Sequence, residues 1–199
     1  MTKSVWLKDF KRTCPTYSPW GGVQDESCAK IGNREFHFVH TAGHGGLWLS
    51  PEDRLQMPVG HGREWWEEDC EAAIPVWWFC RTMVLAGDES EFVALCTQSV
   101  KAWNPDIYEA LTGEVIPLEE SHVKWQRKFD ADNAENFVVR SAFGSWAHWV
   151  PDGMVGVFAR KAKGEEACFL IPAAEYAKRG GDFVVDPDRH QRIPTPVQP

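Results

Sequence analysis

Alternating aromatic and polar residues predict two strands in the first third of the chain. Residues 35–41 alternate with the period of two that a half-buried β-strand shows. They end at a glycine-rich turn, after which a second short strand is expected over residues 46–49. Ser50 followed by Pro51 and two acids is typical of a helix start, and this helix should end before Pro58.

The middle of the chain has helical periodicity. Between residues 64 and 79, apolar positions recur at spacings of four, three and four, which predicts one amphipathic helix. These positions are Trp66, Cys70, Ala73 and Trp77. Pro75 lacks a backbone donor, so a kink or an early stop is expected there. Three further helices are predicted over residues 89–103, 105–112 and 117–133.

Short runs of β-branched and aromatic residues fill the last third of the chain. They predict strands at residues 136–143, 154–159 and 167–171, a brief helix at 172–179 and an edge strand at 183–185. The predicted fold class is therefore α+β, with N-terminal strands and a glycine-rich turn, central helices and a C-terminal antiparallel sheet.

No internal repeat or low-complexity block divides the sequence, so a single domain over residues 18–186 is predicted. Residues 1–17 mix charge with proline and are predicted to form an N-terminal arm. Residues 187–199 carry four prolines and are predicted to be a coil-like tail.

The net charge restricts the class of molecule that the protein could bind. A net charge of −8 with a pI near 5.4 disfavours direct nucleic-acid binding, which needs clustered Lys and Arg. An acidic surface would instead suit a basic partner, such as a host or mobile-element protein that binds nucleic acid. The alternative is that the surplus only keeps the protein in solution.

Eleven tryptophans in 199 residues include the doublets Trp65-Trp66 and Trp77-Trp78. Successive helical residues diverge by about 100°, so at least one ring of each doublet should lie near a surface. Trp65 and Trp78 are the candidates for binding, either to a partner or across a homodimer seam. Rings packed at the edge of the core are the alternative.

The six cysteines form neither a Cys-x-x-Cys pair nor a metal-finger spacing. Reduced thiols in a host cytosol are expected, with no cofactor and no metal. The N-terminus lacks the apolar core of a signal peptide, and no apolar run approaches the roughly 20 residues of a membrane span. A cytoplasmic protein without membrane contact is predicted.

The segment Gly43-His44-Gly45-Gly46 is the strongest candidate site. Glycines let backbone approach a ligand closely, and His44 at the tip could serve as an acid, a base or a ligand. Four acids follow in Glu67-Glu68-Asp69-Cys70-Glu71, and Asp69 is predicted to be the buried one because it lies beside the apolar stripe. His44, Asp69 and Glu68 are the catalytic candidates. The alternative is that these acids only complement a helix dipole.

Four motifs, in order along the chain, carry a resemblance to a known family. They are Ser18-Pro19-Trp20-Gly21, Thr41-Ala42-Gly43-His44-Gly45-Gly46, Leu49-Ser50-Pro51-Glu52 and Trp66-Glu67-Glu68-Asp69-Cys70. Together with residues 103–109, 149–157 and 169–176, they resemble domain of unknown function 7007, an uncharacterised family of bacteriophages, plasmids and alphaproteobacterial genomes. The resemblance implies a mobile-element protein and transfers no catalytic residue.

Three functional hypotheses follow. The first is an accessory protein that acts by protein binding, including the inhibition of a host defence in the manner of an anti-CRISPR protein. The second is a hydrolase or nucleotide-processing enzyme that uses His44 with Asp69 or Glu68. The third is a structural or assembly accessory of a mobile element, a self-associating protein whose Trp doublets form a dimer seam.

Overall fold

A computed structural model describes residues 4–196 of the chain. Within that range, helices combine with three antiparallel sheets, which confirms the predicted α+β class. The chain divides into two compact units, one up to Trp125 and one from Gln126 onward, within what the sequence predicts as a single domain.

The first unit is built on a four-stranded antiparallel sheet whose strands pair in chain order. A small hairpin, β1 (Tyr17–Ser18) and β2 (Gly21–Gly22), precedes β3 (Asp25–Ile31), β4 (Arg34–His40), β5 (Gly45–Trp48) and β6 (Trp65–Glu67). The two predicted strands are confirmed as β4 and β5. Strand β3 is not predicted, because a central Cys-Ala pair and a lysine interrupt its alternation.

The helices of this unit are α1 (Pro51–Gln56), α2 (Ala73–Cys80), α3 (Asp88–Trp103) and α4 (Pro105–Thr112). The boundary between the two units falls within α5 (His122–Asp132). The predicted start of α1 is confirmed, because the Ser50 hydroxyl accepts a hydrogen bond from the Asp53 amide at 3.1 Å. No helix in the described part of the chain is both long and apolar enough to cross a membrane.

The single helix predicted over residues 64–79 is wrong in its first half. Trp65 pairs with Trp48 across the sheet, while the neighbouring Trp66 points to the opposite face and is buried. The segment therefore alternates with the period of a strand before α2 begins. Pro75 is the third residue of α2, where a backbone N–H has no acceptor within the helix, so it neither kinks nor stops the helix.

One face of the sheet carries the main core of this unit, against α2, α3 and α4. Its larger buried members are Ile31, Phe36, Leu47, Trp66, Ile74, Val76, Trp77, Val100 and Tyr108. The N-terminal segment also belongs to this unit. Lys30 donates to the Val5 carbonyl at 2.8 Å, and Leu7 donates to the Cys28 carbonyl at 2.9 Å. Residues 5–7 of the predicted arm therefore extend the edge of β3.

The second unit is a five-stranded antiparallel sheet in the order β10-β7-β8-β9-β11. Its elements are β7 (Phe137–Phe143), β8 (Met154–Arg160), β9 (Glu166–Pro172), α6 (Ala173–Tyr176), β10 (Val184–Val185) and β11 (Gln191–Ile193). The predicted strands and the edge strand are confirmed. Strand β11 lies in the segment predicted as coil, where Gln191 pairs with Leu170. Residues 197–199 of that tail lie outside the described range.

Truncation of a single side chain tests whether the N-terminal segment is part of the fold. Val5 is 7 % exposed, whereas Val84 is fully exposed. We expect Val5→Ala to lower the free energy of unfolding by about 1–2 kcal/mol, because it removes buried methyl groups. Val84→Ala is the control and should change nothing measurable in urea denaturation. Equal stabilities of the two variants would show that residues 4–7 are dispensable.

Candidate functional site

The turn between β4 and β5 holds His44 in a fixed position. The Thr41 amide donates to the His44 carbonyl at 2.9 Å, and the His44 amide donates to the Thr41 hydroxyl at 3.2 Å. The Thr41 hydroxyl also donates to the His44 carbonyl at 2.6 Å. The backbone of the turn is thereby closed by three bonds, while the imidazole is exposed.

Two of the three glycines serve packing. A Cβ atom on Gly46 would overlap the Trp66 carbonyl oxygen and the Trp20 ring. A Cβ on Gly45 would overlap the Glu68 carboxylate and lie 2.6 Å from the Val39 carbonyl oxygen. Neither glycine has a positive φ, so close approach and not backbone conformation requires them. A Cβ on Gly43 would meet no atom within 4 Å.

The structure brings His44 together with Glu68, as the catalytic hypothesis requires. Strand β6 pairs Glu67 with Gly46, and the Glu68 amide donates to the Gly45 carbonyl at 3.2 Å. As a result, ligand atoms of His44, Glu67 and Glu68 all lie within 4.8 Å of one another. Two motifs that are more than 20 residues apart in sequence therefore form one cluster.

Asp69 does not join this cluster, and the prediction that it is the buried acid is wrong. Its side chain is exposed, and its amide donates to the Glu67 carboxylate at 2.9 Å. The reason is that the segment is a strand followed by a turn, so the helical stripe that would have buried Asp69 does not exist. Glu67, which is half-buried, is the acid that joins His44 and Glu68 in place of Asp69.

The charges around the cluster are unevenly balanced. Arg63 forms an ion pair with Glu71. Within residues 4–196, no Lys or Arg forms an ion pair with Glu67 or Glu68. Glu68 also lines a cleft of about 250 Å³ whose other walls are mainly apolar side chains of α2 and α3. The cluster thus has unneutralised carboxylates beside a cleft, which suits cation binding next to a bound molecule.

A second cluster, not predicted from the sequence, lies on the face of the sheet opposite the main core. Ligand atoms of Cys14, Glu26 and His37 lie within 4.8 Å of one another. Glu26 is 6 % exposed and contacts the His37 Nδ1 atom at 2.7 Å, and it accepts a bond from the Thr13 amide at 3.4 Å. Burial, followed by the negative charge of Glu26, raises the pKa of the Cys14 thiol.

The residues of this second cluster lie on three separate elements, and for that reason no local sequence motif indicates it. The sequence shows only that Glu26 and Cys28 are two residues apart, as residues on one face of a strand are. The observed register of β3 and β4 is needed to place Cys28 directly opposite His37. His37 also lines a cavity of about 260 Å³ together with Thr13, Trp48 and residues around the start of α1.

The tryptophan doublets each place one ring in the core. Trp66 and Trp77 are buried, while Trp65 and Trp78 are half-buried, which confirms the predicted division within each pair. Trp65 meets the Trp20 ring edge-on at 6.0 Å, and the Arg81 guanidinium lies 3.3 Å above the Trp78 ring. Both candidate rings are therefore already in contact with neighbours in the chain, and their binding role stays a prediction.

The match to a family model covers both clusters. The model described as Domain of unknown function (DUF7007) matches residues 13–134, more than half of the chain. This chain belongs to the DUF7007 family. The DUF7007 match begins just before Cys14 and ends before β7, so the sheet of the second unit lies outside it. No curated protein and no solved structure matches the chain.

A pair of glycine variants tests the architectural role of the DUF7007 turn. We expect Gly46→Ala to destabilise the protein by about 1–3 kcal/mol, because the new methyl group must displace the Trp20 ring and the backbone of β6. Gly43→Ala, two residues before the pair, has open space and should keep wild-type stability in thermal unfolding. If both variants unfold like the wild type, close packing does not explain the glycine pair.

Proposed function

We propose that this DUF7007 protein binds a divalent metal ion through His44, Glu67 and Glu68 and uses it for hydrolysis. The observation that carries the proposal is the convergence of these three side chains within 4.8 Å, at the point where two motifs of the chain meet. Three protein ligands leave coordination positions for a water molecule and a substrate, as in catalytic metal sites.

The ligand types restrict the metal. Carboxylates favour Mg²⁺ and Mn²⁺, whereas an imidazole favours Zn²⁺, Fe²⁺ and other transition metals. A cluster of one imidazole and two carboxylates is therefore best matched by Mn²⁺, Zn²⁺ or Fe²⁺. The ion would lower the pKa of its bound water and so supply a nucleophile near neutral pH.

The charge distribution favours cations at this site. Residues up to Trp125 contain 11 Lys and Arg against 19 Asp and Glu, whereas the residues from Gln126 onward contain 10 of each. The whole net charge of −8 therefore belongs to the unit that carries the cluster. Such a field concentrates metal ions and repels polyanions. With the largely apolar cleft beside Glu68, it favours a small or partly apolar substrate over a nucleic-acid strand.

Metal titration with matched variants tests the proposal. We expect His44→Ala and Glu67→Gln each to weaken Mn²⁺ and Zn²⁺ binding, measured by calorimetry, by more than about 100-fold. Loss of a residue that only orients a metal ligand costs roughly 10–100-fold, and these two side chains are ligands themselves. Asp69→Asn is the control, because Asp69 carries the same charge next to the cluster but is not part of it. It should bind metal with nearly wild-type affinity.

Activity is measured on the same set of proteins with chromogenic phosphomonoesters, phosphodiesters and carboxylic esters. Hydrolysis that depends on added metal, is lost in His44→Ala and is kept in Asp69→Asn is the expected result. Unchanged metal affinity in His44→Ala would contradict the assignment of the site.

A second candidate function is protein binding, and the acidic surplus of the first unit favours it. That unit also exposes large aromatic side chains, with Tyr17 at 73 % and Trp103 at 47 % exposure. Exposed aromatic rings on an acidic surface suit a basic partner, with the rings as anchors and the charge steering the encounter. A host or mobile-element protein that binds nucleic acid, including a CRISPR effector, fits this description, and such binding needs no metal.

An assay in cells separates the two functions. The protein is expressed in a host with an active CRISPR defence, and the transformation efficiency of a targeted plasmid is measured. If the protein acts by binding, the wild type and His44→Ala restore transformation equally, whereas Trp103→Ser does not. No effect of the wild type would contradict the anti-defence form of this candidate.

A further inference from the structure

We propose that Cys14, Glu26 and His37 form a partly buried binding site for a transition metal ion of the Zn²⁺ class, which holds the N-terminal segment against the sheet. The three residues come from three elements: Cys14 from the segment before β1, Glu26 from β3 and His37 from β4. Their ligand atoms lie within 4.8 Å of one another, and this site shares no residue with the His44 cluster.

The buried carboxylate of Glu26 lies among side chains that can bind a transition metal ion. A carboxylate that is taken out of water is costly unless it is paired. Among residues 4–196, no Lys or Arg pairs with Glu26; its ion-pair partner is the His37 imidazole, and its other contacts are a thiol and a backbone amide. Two of these three groups are themselves metal ligands. A metal ion would supply the positive charge and would use the imidazole and the thiol at the same time.

The choice of ligands indicates the class of metal. Thiolate with imidazole selects Zn²⁺ and related ions over Mg²⁺ and Ca²⁺, which prefer oxygen alone. Structural zinc sites are four-coordinate, so one more ligand is needed. Cys28 and Glu35 form a second group with His37, again within 4.8 Å. Cys28 is fully buried and lies directly opposite His37, but its thiol groups with Glu35 and not with Cys14 and Glu26, so a water molecule is the best fourth ligand.

The consequence of such a site is mechanical. Cys14 is the only one of these ligands outside the sheet, so a bound ion would fix the N-terminal segment across the face that it covers. Phe10 already contacts the His37 ring edge-on at 6.0 Å on that face. Because the three ligands converge only in the folded chain, the free energy of metal binding would add to the free energy of folding.

Cobalt substitution tests the site through its sulfur ligand. Protein freed of metal with a chelator is titrated with Co²⁺, and the near-ultraviolet charge-transfer absorption of a thiolate–Co²⁺ bond is recorded. We expect this band in the wild type and expect its loss in Cys14→Ser. Cys96→Ser is the matched control, because Cys96 is also a partly buried thiol but lies on α3, outside the cluster. It should keep the band.

Two further variants keep the result interpretable. His44→Ala should also keep the band, since the His44 cluster contains no sulfur, so this proposal and the proposed function fail independently. Glu26→Gln keeps the size and a hydrogen-bonding side chain but removes the charge, and it should weaken Co²⁺ binding more than about tenfold even if Cys14→Ser does not fold. Absence of the band in the wild type, or a band of equal strength in a folded Cys14→Ser, would overturn the proposal.

Discussion

The close contact between β5 and β6 is the constraint on which the first unit depends. Gly45 and Gly46 leave room for the Glu68 carboxylate on one side and for the Trp20 ring on the other. Any larger residue at Gly46 would push β6 away and carry Glu67 with it. The same two residues thus set both the packing of the strand pair and the distance from the His44 imidazole to the acids.

The elements that follow from local rules could be predicted from the sequence. Ser50 and Pro51 define a helix start through groups that lie within four residues, and the alternation in β4 is unbroken. The segment at residues 64–79 shows where such rules stop. The spacing of its apolar residues fits a helical stripe as well as it fits a strand. Only the pairing with β5 decides that Trp65 to Glu67 form a strand. Tertiary pairing overrode local periodicity there, and the burial expected for Asp69 was lost with the helix.

The candidate sites divide in the same way. His44 and Glu68 could be named because each stands in an unusual local sequence. Their partner Glu67 could not, because its inclusion depends on the register of β6. The cluster of Cys14, Glu26 and His37 could not be predicted, because its members come from the segment before β1, from β3 and from β4, and β3 itself is not predicted. Register between strands, and not spacing along the chain, assembles both clusters.

The uneven charge of the two units has a consequence for how the molecule moves. With all of its excess negative charge on residues up to Trp125 and none on the remainder, the chain has a strong electrical asymmetry along its length. Near a positively charged surface, the electrostatic attraction acts on the residues up to Trp125, whereas the remainder carries no net charge. The acidic unit is therefore the part of the chain that such a surface attracts.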